Sequence, residues 1–327
     1  MLNKILTVVN IILAGILIYI LLQPKIQASK IVEAKIYYRN DVSAAPLFIA
    51  EANGYFDSLK VKVSVEEVGK VGEDVENVLK GLGQLASGTD WGVFLFKAKV
   101  RPSAYRIVTN ATSTISVPYT ALLAPPKSRI RSLKDLIGKK VGFLRGTKDE
   151  ELVRYILRSS GINDSMVNFT PLMASEMRNI FNPESAMVAV DAVVAVEPYR
   201  SMLIKSGARI VEDGFIEKHT VTPFPVGLSY TSITNLELQK NATRRVIQAM
   251  NMAIDFLRKH PDSATVIVKN RLNVPEDINL MLPTFEKYSE VDAAQVDRYV
   301  EVLKNANVLF VDVPVDSMIL SAEEIKK

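Results

Sequence analysis

The sequence of 327 residues contains no cysteine, and this absence removes several functional classes at once. It excludes disulfides, a thiol nucleophile, cysteine-based metal sites and a lipid-modified cysteine anchor. Histidine is scarce as well, because only His219 and His260 occur. His219 stands in a polar stretch and His260 directly precedes a proline, so neither belongs to a motif typical of catalysis or metal binding.

Motifs of several common enzyme classes are also missing. There is no GxxxxGK[ST] phosphate-binding loop, no HExxH zinc motif and no Ser-His-Asp arrangement in a recognisable context. The 40 basic and 36 acidic residues nearly balance. No block of Lys and Arg reaches the density typical of nucleic-acid binding. We therefore expect a non-catalytic protein with no metal, no cofactor and no nucleic-acid partner.

The composition describes a folded protein. Hydrophobic residues make up 48% of the chain and charged residues 23%, which is typical of globular proteins and unlike disordered ones. The chain is long enough for two domains of ordinary size, so it need not fold around a single hydrophobic core.

The first residues form a candidate targeting segment. Lys4 precedes an apolar run, residues 5–22, that ends at Gln23-Pro24-Lys25. The run is just long enough to span a bilayer as a helix and longer than the apolar core of a usual signal peptide. An uncleaved anchor and a signal cleaved after Ala28 both fit this pattern. In either case the charge of Lys4 predicts that the body of the protein lies outside the cytoplasmic membrane.

A strand, a glycine-containing turn and a helix are predicted within residues 132–161. The strand is residues 141–144, and the turn is Arg145-Gly146-Thr147. Thr147 is a candidate N-cap of the helix, whose acidic first turn suits the positive end of the helix dipole. Gly161 suits a left-handed C-cap position. In an open α/β sheet such a turn faces the ligand crevice, and its backbone N–H groups favour anionic or polar ligands.

Strands and helices alternate along the first part of the chain. Pro46 begins a helix that Asn53-Gly54 ends, and a second helix is predicted around residues 75–82. Strands are predicted at residues 36–38, 61–65, 105–108 and 119–123. This alternation indicates an α/β protein with parallel, doubly wound sheets.

A second strand–helix series follows a stiff polar break at Pro125-Pro126. Its strands are predicted at residues 141–144, 168–172, 189–196 and 209–211, and Pro223-Phe224-Pro225 marks a second break. The tail is helical, with one helix capped by Asn241 and another that starts at Pro261. We predict a signal or anchor at 1–30, one lobe from 31–124 and 226–327, and a second lobe from 125–225.

Four segments, in the same order along the chain, resemble the NMT1/THI5-like family of periplasmic solute-binding proteins. This family includes the SsuA-like group for sulfonates, nitrate, taurine and pyrimidine precursors. The resemblance covers nearly everything after about Lys35. The segments are APLFIAEANGYF at 45–56, LKDLIGKKVG at 133–142, VDAVVAVEPY at 190–199, and residues 249–263 with FLRKHP.

The resemblance implies the type II periplasmic binding protein fold, in which two doubly wound lobes are joined by two crossing strands and close on a ligand like a hinge. It implies an extracytoplasmic protein that captures a small polar or anionic molecule and delivers it to the membrane permease of an ABC importer. Two alternatives stay open. One is a membrane-tethered ligand sensor, and the other is a THI5-like pyrimidine-biosynthesis enzyme. The absence of cysteine argues against the enzyme, and the identity of the ligand does not follow from the resemblance.

Candidate ligand-binding residues lie where predicted strands end. Arg39, Asn40 and Ser43 follow the first strand, and Arg39 suits a carboxylate or sulfonate. Gly146 and Thr147 offer the helix N-terminus from the other lobe. The hypothesis is that the ligand touches Arg39 and Asn40 on one side and the Gly146-Thr147 turn on the other. A solvated surface position is an equally good explanation for Arg39.

Further candidates come from the resemblance and from side-chain chemistry. Asp90 belongs to a segment that resembles the aspartate-containing cleft segment of the family. Trp91, the only tryptophan, suits stacking on a planar ligand, although core packing explains it equally well. The remaining candidates are two hydroxyl residues near the supposed hinge, Thr112 and Ser113, and two acidic residues of the Asp-Ala…Glu-Pro pattern, Asp191 and Glu197. Asp191 also suits a structural role.

Overall fold

The computed structural model describes residues 13, 30–182, 184 and 187–326. The predicted anchor, residues 5–22, lies outside the described residues apart from Leu13. Among the residues described, no helix combines the length and the apolar character needed to cross a membrane.

The strands of the described chain form two separate sheets. The first sheet has six strands in the order β11-β4-β10-β3-β1-β2, and the second has five in the order β7-β6-β8-β5-β9. We call the first sheet with its helices lobe 1 and the second sheet with its helices lobe 2. The strands are β1 Val32–Tyr38, β2 Val61–Glu67, β3 Leu85–Asp90, β4 Tyr105–Ser113, β5 Thr120–Ala124, β6 Lys140–Leu144, β7 Asn168–Leu172, β8 Ala192–Val196, β9 Arg209–Asp213, β10 Phe224–Ser232 and β11 Thr284–Lys287.

Helices connect and cover the strands. In the described residues they are α1 Ala45–Ala52, α2 Tyr55–Ser58, α3 Glu73–Leu79, α4 Trp91–Ala98, α5 Asp149–Ser159, α6 Ala174–Arg178, α7 Tyr199–Lys205, α8 Phe215–His219, α9 Ile233–Leu238, α10 Lys240–Lys259, α11 Pro261–Leu272, α12 Ala293–Asn305, α13 Val315–Met318 and α14 Ala322–Lys326. Short 3-10 turns lie at Val42–Ala44, Pro102–Ala104, Leu133–Leu136, Asp164–Met166 and Tyr288–Glu290.

The sheets are mixed, which refines the prediction of parallel sheets. In lobe 1, β1 pairs in parallel with β2 and β3, whereas β10 is antiparallel to β3 and β4. In lobe 2, β6 pairs in parallel with β7 and β8, whereas β5 is antiparallel to β8 and β9. The strands that arrive from the other lobe, β5 and β10, therefore break the parallel pattern, as does the edge strand β11, which is antiparallel to β4.

The first crossing between the sheets comes earlier than the sequence predicts. We expected residues 119–123 to belong to lobe 1 and the chain to cross near Pro125. Instead β5 pairs within the second sheet, so the chain crosses between Ser113 and Thr120. An apolar run predicts a strand but not the sheet it joins, and the proline pair only marks the end of β5. The return lies between Asp213 and Phe224, close to the predicted break at Pro225.

Glu217 of α8 holds the two crossings together. Its carboxylate, 1% exposed, accepts hydrogen bonds from Ser113 Oγ at 2.9 Å and from the backbone N–H groups of Tyr119 and Thr120 at 2.7 and 3.1 Å. The Thr120 hydroxyl also donates to it. On the return side, Thr222 Oγ1 donates to the Glu217 carbonyl at 2.8 Å. One buried carboxylate therefore accepts hydrogen bonds from backbone N–H groups of the first crossing that are not paired within a sheet. The backbone of its own helix anchors the second crossing.

A strand whose residues are not typical of strands, β3, runs through the middle of lobe 1. Residues 87–92 resemble a glycine-rich turn, yet β3 extends to Asp90 and Trp91 begins α4. The small residues serve close packing, because a Cβ on Gly88 would lie 2.9 Å from the Ala44 Cβ. Gly88 also has a φ of +77°, which favours glycine.

The predicted amphipathic helices of the tail are confirmed. In α10 the buried positions include Val246, Ala249, Met250, Ala253 and Ile254, a spacing that places them on one face. This face packs against α1 and β1. The helix starts at Lys240, so Asn241 lies inside it and does not act as its cap.

Candidate functional site

A cavity of about 270 Å³ lies between the lobes, at the C-terminal ends of strands from both sheets. This is the position where open α/β sheets bind ligands. Lobe 1 contributes the ends of β1 and β2 and the loop before α3, and lobe 2 contributes the end of β6 and the starts of α6 and α7. The lining residues are Arg39, Asn40, Asp41, Glu67, Val68, Gly69, Lys70, Val71, Gly72, Asp74, Thr89, Val93, Leu144, Arg145, Gly146, Met173, Ala174 and Tyr199.

Arg39 reaches the cavity, as predicted, but its guanidinium is bound to the protein. It donates to the backbone carbonyl of Gly146 across the cleft and lies 3.7 Å from an Asp41 carboxylate oxygen. Burial alone would lower the pKa of Arg39, but the neighbouring carboxylates of Asp41 and Asp90 outweigh burial and raise it. Arg39 therefore links the two lobes, and its guanidinium group already contacts Gly146 and Asp41 before any ligand enters.

Ser43 supports the site from behind the cavity. It is buried, and both its backbone N–H, at 2.8 Å, and its hydroxyl contact the Asp41 carboxylate. The hydroxyl also lies 3.1 Å from the carbonyl oxygen of Gly88. Ser43 thus orients Asp41, which in turn faces Arg39.

The Gly146-Thr147 turn lies at the cavity, where Gly146 is one of the lining residues. Gly146 turns its carbonyl oxygen toward Arg39. Thr147 Oγ1 donates to the Leu144 carbonyl at 2.9 Å and receives only a long bond, 3.4 Å, from Asp149 N. The first turn of α5 carries Asp149, Glu150 and Glu151. The carboxylates of Glu150 and Glu151 offset the positive end of the helix dipole that an anion would need.

Two cationic side chains face the cavity without a partner among the described residues. Lys70 lies in the loop between β2 and α3, and Arg145 directly follows β6. Both are exposed, and neither side chain makes a hydrogen bond or ion pair within the described part of the chain. Of the cavity acids, Asp41 faces Arg39 at 3.7 Å, and Asp74 is satisfied by Thr89 Oγ1 and by Tyr230 OH at 2.8 Å. Glu67 is exposed, and its side chain makes no hydrogen bond or ion pair within the described residues. The unpaired charges that the described residues place at the cavity are therefore the two cations and this one acid.

Sequence reasoning passed over both of these cations. Arg145 could have been found by the same rule that found Arg39, because each arginine follows the C-terminal end of a parallel strand. Lys70 carries no such signal, since its position depends on how the loop after β2 folds back. Tyr199 and Met173 were also missed, because they belong to α7 and the segment before α6, whose orientation the sequence does not reveal.

Asp90 lies beside the cleft as a helix cap. Its side chain accepts a hydrogen bond from Val93 N at 2.8 Å and so caps α4. Burial raises the pKa of Asp90 to about 6, against the opposing charge of Arg39. It does not line the cavity, so its influence on a ligand there would act through Arg39.

Trp91 does not stack on a cleft ligand. Its side chain is fully buried, its ring packs edge-on against Phe94, and its Nε1 donates to Asn110 Oδ1 at 2.8 Å. Core packing, the alternative explanation, accounts for this tryptophan.

The other four predicted residues also lie away from the cavity. Thr112 and Ser113 are buried in β4, where Ser113 contacts Glu217 at the crossing. Asp191 accepts a hydrogen bond from Lys140 N at 2.8 Å, next to the start of β6. Glu197 is fully buried and bonds to Arg200 Nη1 at 2.9 Å and Ser201 Oγ at 2.6 Å. Burial raises the pKa of Glu197 to about 7, although Ser201 and Arg200 oppose this.

The lobes also touch on both flanks of the cavity. Arg178 of lobe 2 donates to the carbonyl oxygens of Leu272 and Asn273 at 3.3 and 3.0 Å, where α11 ends. A cation at this end of a helix complements its dipole. On the same flank, Ser201 Oγ donates to the Asn279 carbonyl at 3.0 Å. With the link from Arg39, these contacts describe two lobes closed on each other.

The two sheets, the paired crossings and the interlobe cavity define the α/β fold of periplasmic binding proteins. The family model described as NMT1/THI5 like matches residues 41–264, more than half of the chain, and confirms the resemblance read from the sequence. The chain belongs to the NMT1/THI5-like family.

Similar proteins include both binding proteins and enzymes. A Haemophilus influenzae protein, provisionally named a thiamine biosynthesis protein, is 24% identical over 252 residues, 73% of this chain and 74% of the relative. The crystal structure of the Escherichia coli periplasmic aliphatic sulphonate binding protein SsuA has a TM-score of 0.66 at 18% identity, covering 88% of this chain and 97% of that one. The desulfurization enzyme DSZB has a TM-score of 0.64 at 15% identity, covering 90% and 98%. These structural likenesses concern the fold.

Proposed function

We propose that the protein is an extracytoplasmic solute-binding protein that captures a small polar or anionic molecule between its lobes and delivers it to an ABC importer. The observation that carries the proposal is the cavity between two lobes joined by two crossings, which is lined from one lobe by Lys70 and from the other by Arg145. The side chains of both cations have no partner among the described residues. A ligand held by both cations would favour the closed arrangement, because it would touch both lobes at once.

The cavity wall favours a ligand with an apolar part. Val68, Val71, Val93, Leu144 and Met173 line the cavity together with the polar residues. A small acid whose apolar body packs on this wall and whose charged end meets Lys70 or Arg145 fits this lining. The name of the SsuA neighbour supports an aliphatic sulfonate as the first compound to test. The name of the H. influenzae relative supports precursors of thiamine as the second class.

A thermal-shift screen followed by calorimetry tests the binding site. Sulfonates, carboxylates, nitrate and aminopyrimidines are the compounds to screen, since a ligand well above its Kd stabilises the fold by a few kcal/mol. For an anionic hit, Arg145→Ala and Lys70→Ala each remove one charge-assisted contact, so we expect an affinity loss of roughly tenfold to a hundredfold. Arg129→Ala, at an exposed position outside the cavity, is the matched control and should bind as the unmodified protein does.

Two results would contradict the proposed site. One is an anionic ligand whose affinity is the same in Arg145→Ala, Lys70→Ala and the control. The other is a crystal structure with the ligand bound outside the interlobe cavity. Loss of affinity in the control alone would also overturn the assignment, because Arg129 lies in lobe 2 away from the cleft.

A catalytic role has less support than binding. Among the described residues His219 Nε2 lies 3.0 Å from Glu212, and the His260 ring packs 5.0 Å from the ring of Phe256. Neither histidine lines the cavity. The DSZB neighbour shows that this fold also carries enzymes, so the ligand found by the screen should be incubated with the protein and analysed by mass spectrometry. We expect it to be recovered unchanged, and conversion to a product would favour the enzyme alternative.

The location and the importer are tested in cells. A reporter that is active only outside the cytoplasm, fused after Lys327, should be active if residues 5–22 target the chain as proposed. Deletion of the gene should reduce uptake of the labelled ligand if the protein feeds an importer. Unchanged uptake with an intact binding site would favour the membrane-tethered sensor.

A further inference from the structure

Asp149 is a buried acid without a complete set of hydrogen bonds. It is the first residue of α5 in lobe 2 and is 4% exposed. Within the described part of the chain its Oδ2 has no hydrogen-bond partner. Thr147 supplies a side-chain hydrogen bond that favours the ionised form, and its Oγ1 lies 3.4 Å from Asp149 N. An ionised carboxylate in such a position is costly, because burial removes its hydration and one of its oxygens gains no partner in return.

Lobe 1 closes over this acid. Lys148, next to Asp149, packs so closely on the start of α4 that a Cβ on Gly92 would lie 2.7 Å from the Lys148 Cγ. The ammonium of Lys148 lies 4.8 Å from the centre of the Phe96 ring in the same helix. Helix α12 of lobe 1 also contacts α5, where Arg158 Nη2 donates to the Asn305 carbonyl at 3.5 Å. The burial of Asp149 therefore depends on the closed arrangement of the lobes.

The groups of lobe 1 that face Asp149 are mainly acidic or neutral. Asp90 at the end of β3 acts on it as a like charge, and Arg39 at the end of β1 opposes that effect. Tyr299 of α12 is fully buried, and burial together with the charges of Asp90 and Asp149 raises its pKa. Its hydroxyl has no hydrogen-bond partner among the residues that the structure describes. The charge of Asp149 likewise helps to raise the pKa of Tyr119 in the first crossing, where burial is the larger cause.

On the side of lobe 2, the described cations near this acid are paired with other carboxylates. Lys148 is paired with Glu151 at 2.8 Å, and Glu151 is itself a like charge for Asp149. Helix α8 packs against α5, but Lys218 and His219 lie nearest to Glu212, at 3.9 and 3.0 Å. Arg39 is the cation of lobe 1 that acts on Asp149, and it is shared with Asp41 and Asp90.

We propose that closure of the lobes is coupled to the uptake of a proton by the Asp149 carboxyl group. In the open arrangement the carboxylate is hydrated and ionised. In the closed arrangement it faces Asp90 and is protonated, and the neutral acid has an O–H group to donate within the interface. The proposal rests on the lobe movement of the proposed function, but it needs no particular ligand.

The electrostatics of the closed arrangement support this coupling. Burial, followed by the charge of Asp90, raises the pKa of Asp149 to about 7, whereas a hydrated Asp has a pKa of about 3.9. A pKa that is higher in the closed state means that closure is most favoured at low pH and loses this advantage as the pH rises toward 7. One proton changes the closed-to-open ratio by up to about tenfold per pH unit, so the effect should be large between pH 5 and 7 and small above pH 8.

Interlobe energy transfer in the full chain tests the proposal without a ligand. Because the chain has no cysteine, Asp57→Cys in lobe 1 and Ser175→Cys in lobe 2 give a specific dye pair at exposed positions. In mild detergent, the closed-to-open ratio should fall at least tenfold from pH 5 to pH 8. With Asp149→Asn added, a neutral side chain of the same shape replaces the acid, and the ratio should change less than about twofold.

Two further variants sharpen the test. Asp90→Asn retains a helix-capping side chain but removes the like charge, so the pH profile should shift to lower pH. Glu150→Gln is the matched control, since Glu150 pairs with Arg154 at 2.9 Å on the same helix turn, and its profile should match that of the unmodified protein. A flat profile in the unmodified protein, or the same profile in Asp149→Asn, overturns the proposal. If a solute then still closes the lobes at every pH, the proposed function stands while this inference fails.

Discussion

Replacing Glu217 by alanine should destabilise the junction between the lobes more than most single substitutions in this protein. The carboxylate accepts hydrogen bonds from Ser113 Oγ, from two backbone N–H groups and from the Thr120 hydroxyl. Alanine removes all four acceptor contacts and leaves the buried donors of the first crossing without partners, whereas the bond from Thr222 to the backbone carbonyl of residue 217 can remain. Each unsatisfied buried donor costs about 1–3 kcal/mol.

The total cost is smaller than the sum of these terms, because water can enter the space left by the side chain. We expect a loss of about 3–5 kcal/mol in the free energy of unfolding, below the sum of about 1–3 kcal/mol for each of the four donors. Glu217→Gln keeps one acceptor oxygen and the same shape. Thr120 Oγ1, which already accepts from Ile216 N at 2.9 Å, can then accept from the new amide, so about 1–2 kcal/mol is expected.

Urea unfolding, followed by circular dichroism, measures these values, and a double-mutant cycle identifies their cause. Ser113→Ala removes one donor of the cluster, so its effect should be smaller in the Glu217→Ala background than in the unmodified protein, by about 1 kcal/mol. Additive effects, or a loss below 1 kcal/mol for Glu217→Ala, would refute the idea that this carboxylate holds the crossings together.

Two further substitutions test the packing of each lobe. Trp91→Phe removes the bond from Nε1 to Asn110 and leaves a buried amide oxygen unsatisfied, so thermal or urea unfolding should show a loss of about 1–3 kcal/mol. Because Trp91 lies away from the cavity, calorimetry should show unchanged ligand affinity, and a large affinity loss would contradict the assigned core role. Gly142→Ala should cost about 1–3 kcal/mol through overpacking, since its Cβ would lie 2.6 Å from Leu172 Cδ1. A neutral result in urea unfolding would show that β6 and β7 can move apart.

Much of the fold follows from patterns that are local in sequence. The apolar stripe of α10 predicts both the helix and the face it buries, since the spacing of Val246, Ala249 and Met250 is itself the physical cause of burial. Gly161 adopts a φ of +73° after α5, as its place in the sequence predicts. The division into two strand–helix series is likewise visible from the sequence, because proline breaks interrupt it.

Strand partners, by contrast, depend on contacts that are distant in sequence. Residues 120–124 form a strand in either lobe with the same side-chain pattern, and only pairing with β8 and β9 decides that they belong to the second sheet. The strand β3 is difficult to predict from the sequence for a related reason. Its serine, glycine and threonine residues are typical of a turn in isolation, and the close packing of Ala44 against Gly88 that requires them appears only in the folded protein.

The sequence predicted the position of Arg39 but not its contacts with Asp41 and Gly146, and the reason is electrostatic. The rule that side chains after parallel strands face the crevice placed Arg39, Asn40 and Gly146 at the cavity. The rule concerns position only, so it does not say which groups are already neutralised. Asp41 lies two residues beyond Arg39 and the Gly146 carbonyl faces it from the other lobe, so both contacts satisfy the guanidinium within the protein.

A cation that is already paired contributes less to the recognition of an anion than one that is free, because the ligand must replace contacts instead of adding them. Arg145 follows β6 as Arg39 follows β1, yet its side chain has no partner among the described residues and faces the cavity. The sequence predicted that Arg39 binds the ligand, whereas the structure separates linking the lobes from meeting the ligand charge. Arg39 links the lobes in the closed arrangement, and Arg145 with Lys70 is left to meet the charge of the ligand. On this reasoning Arg39→Ala should weaken the binding of neutral and anionic ligands alike, because it acts on closure, whereas Arg145→Ala should discriminate between them.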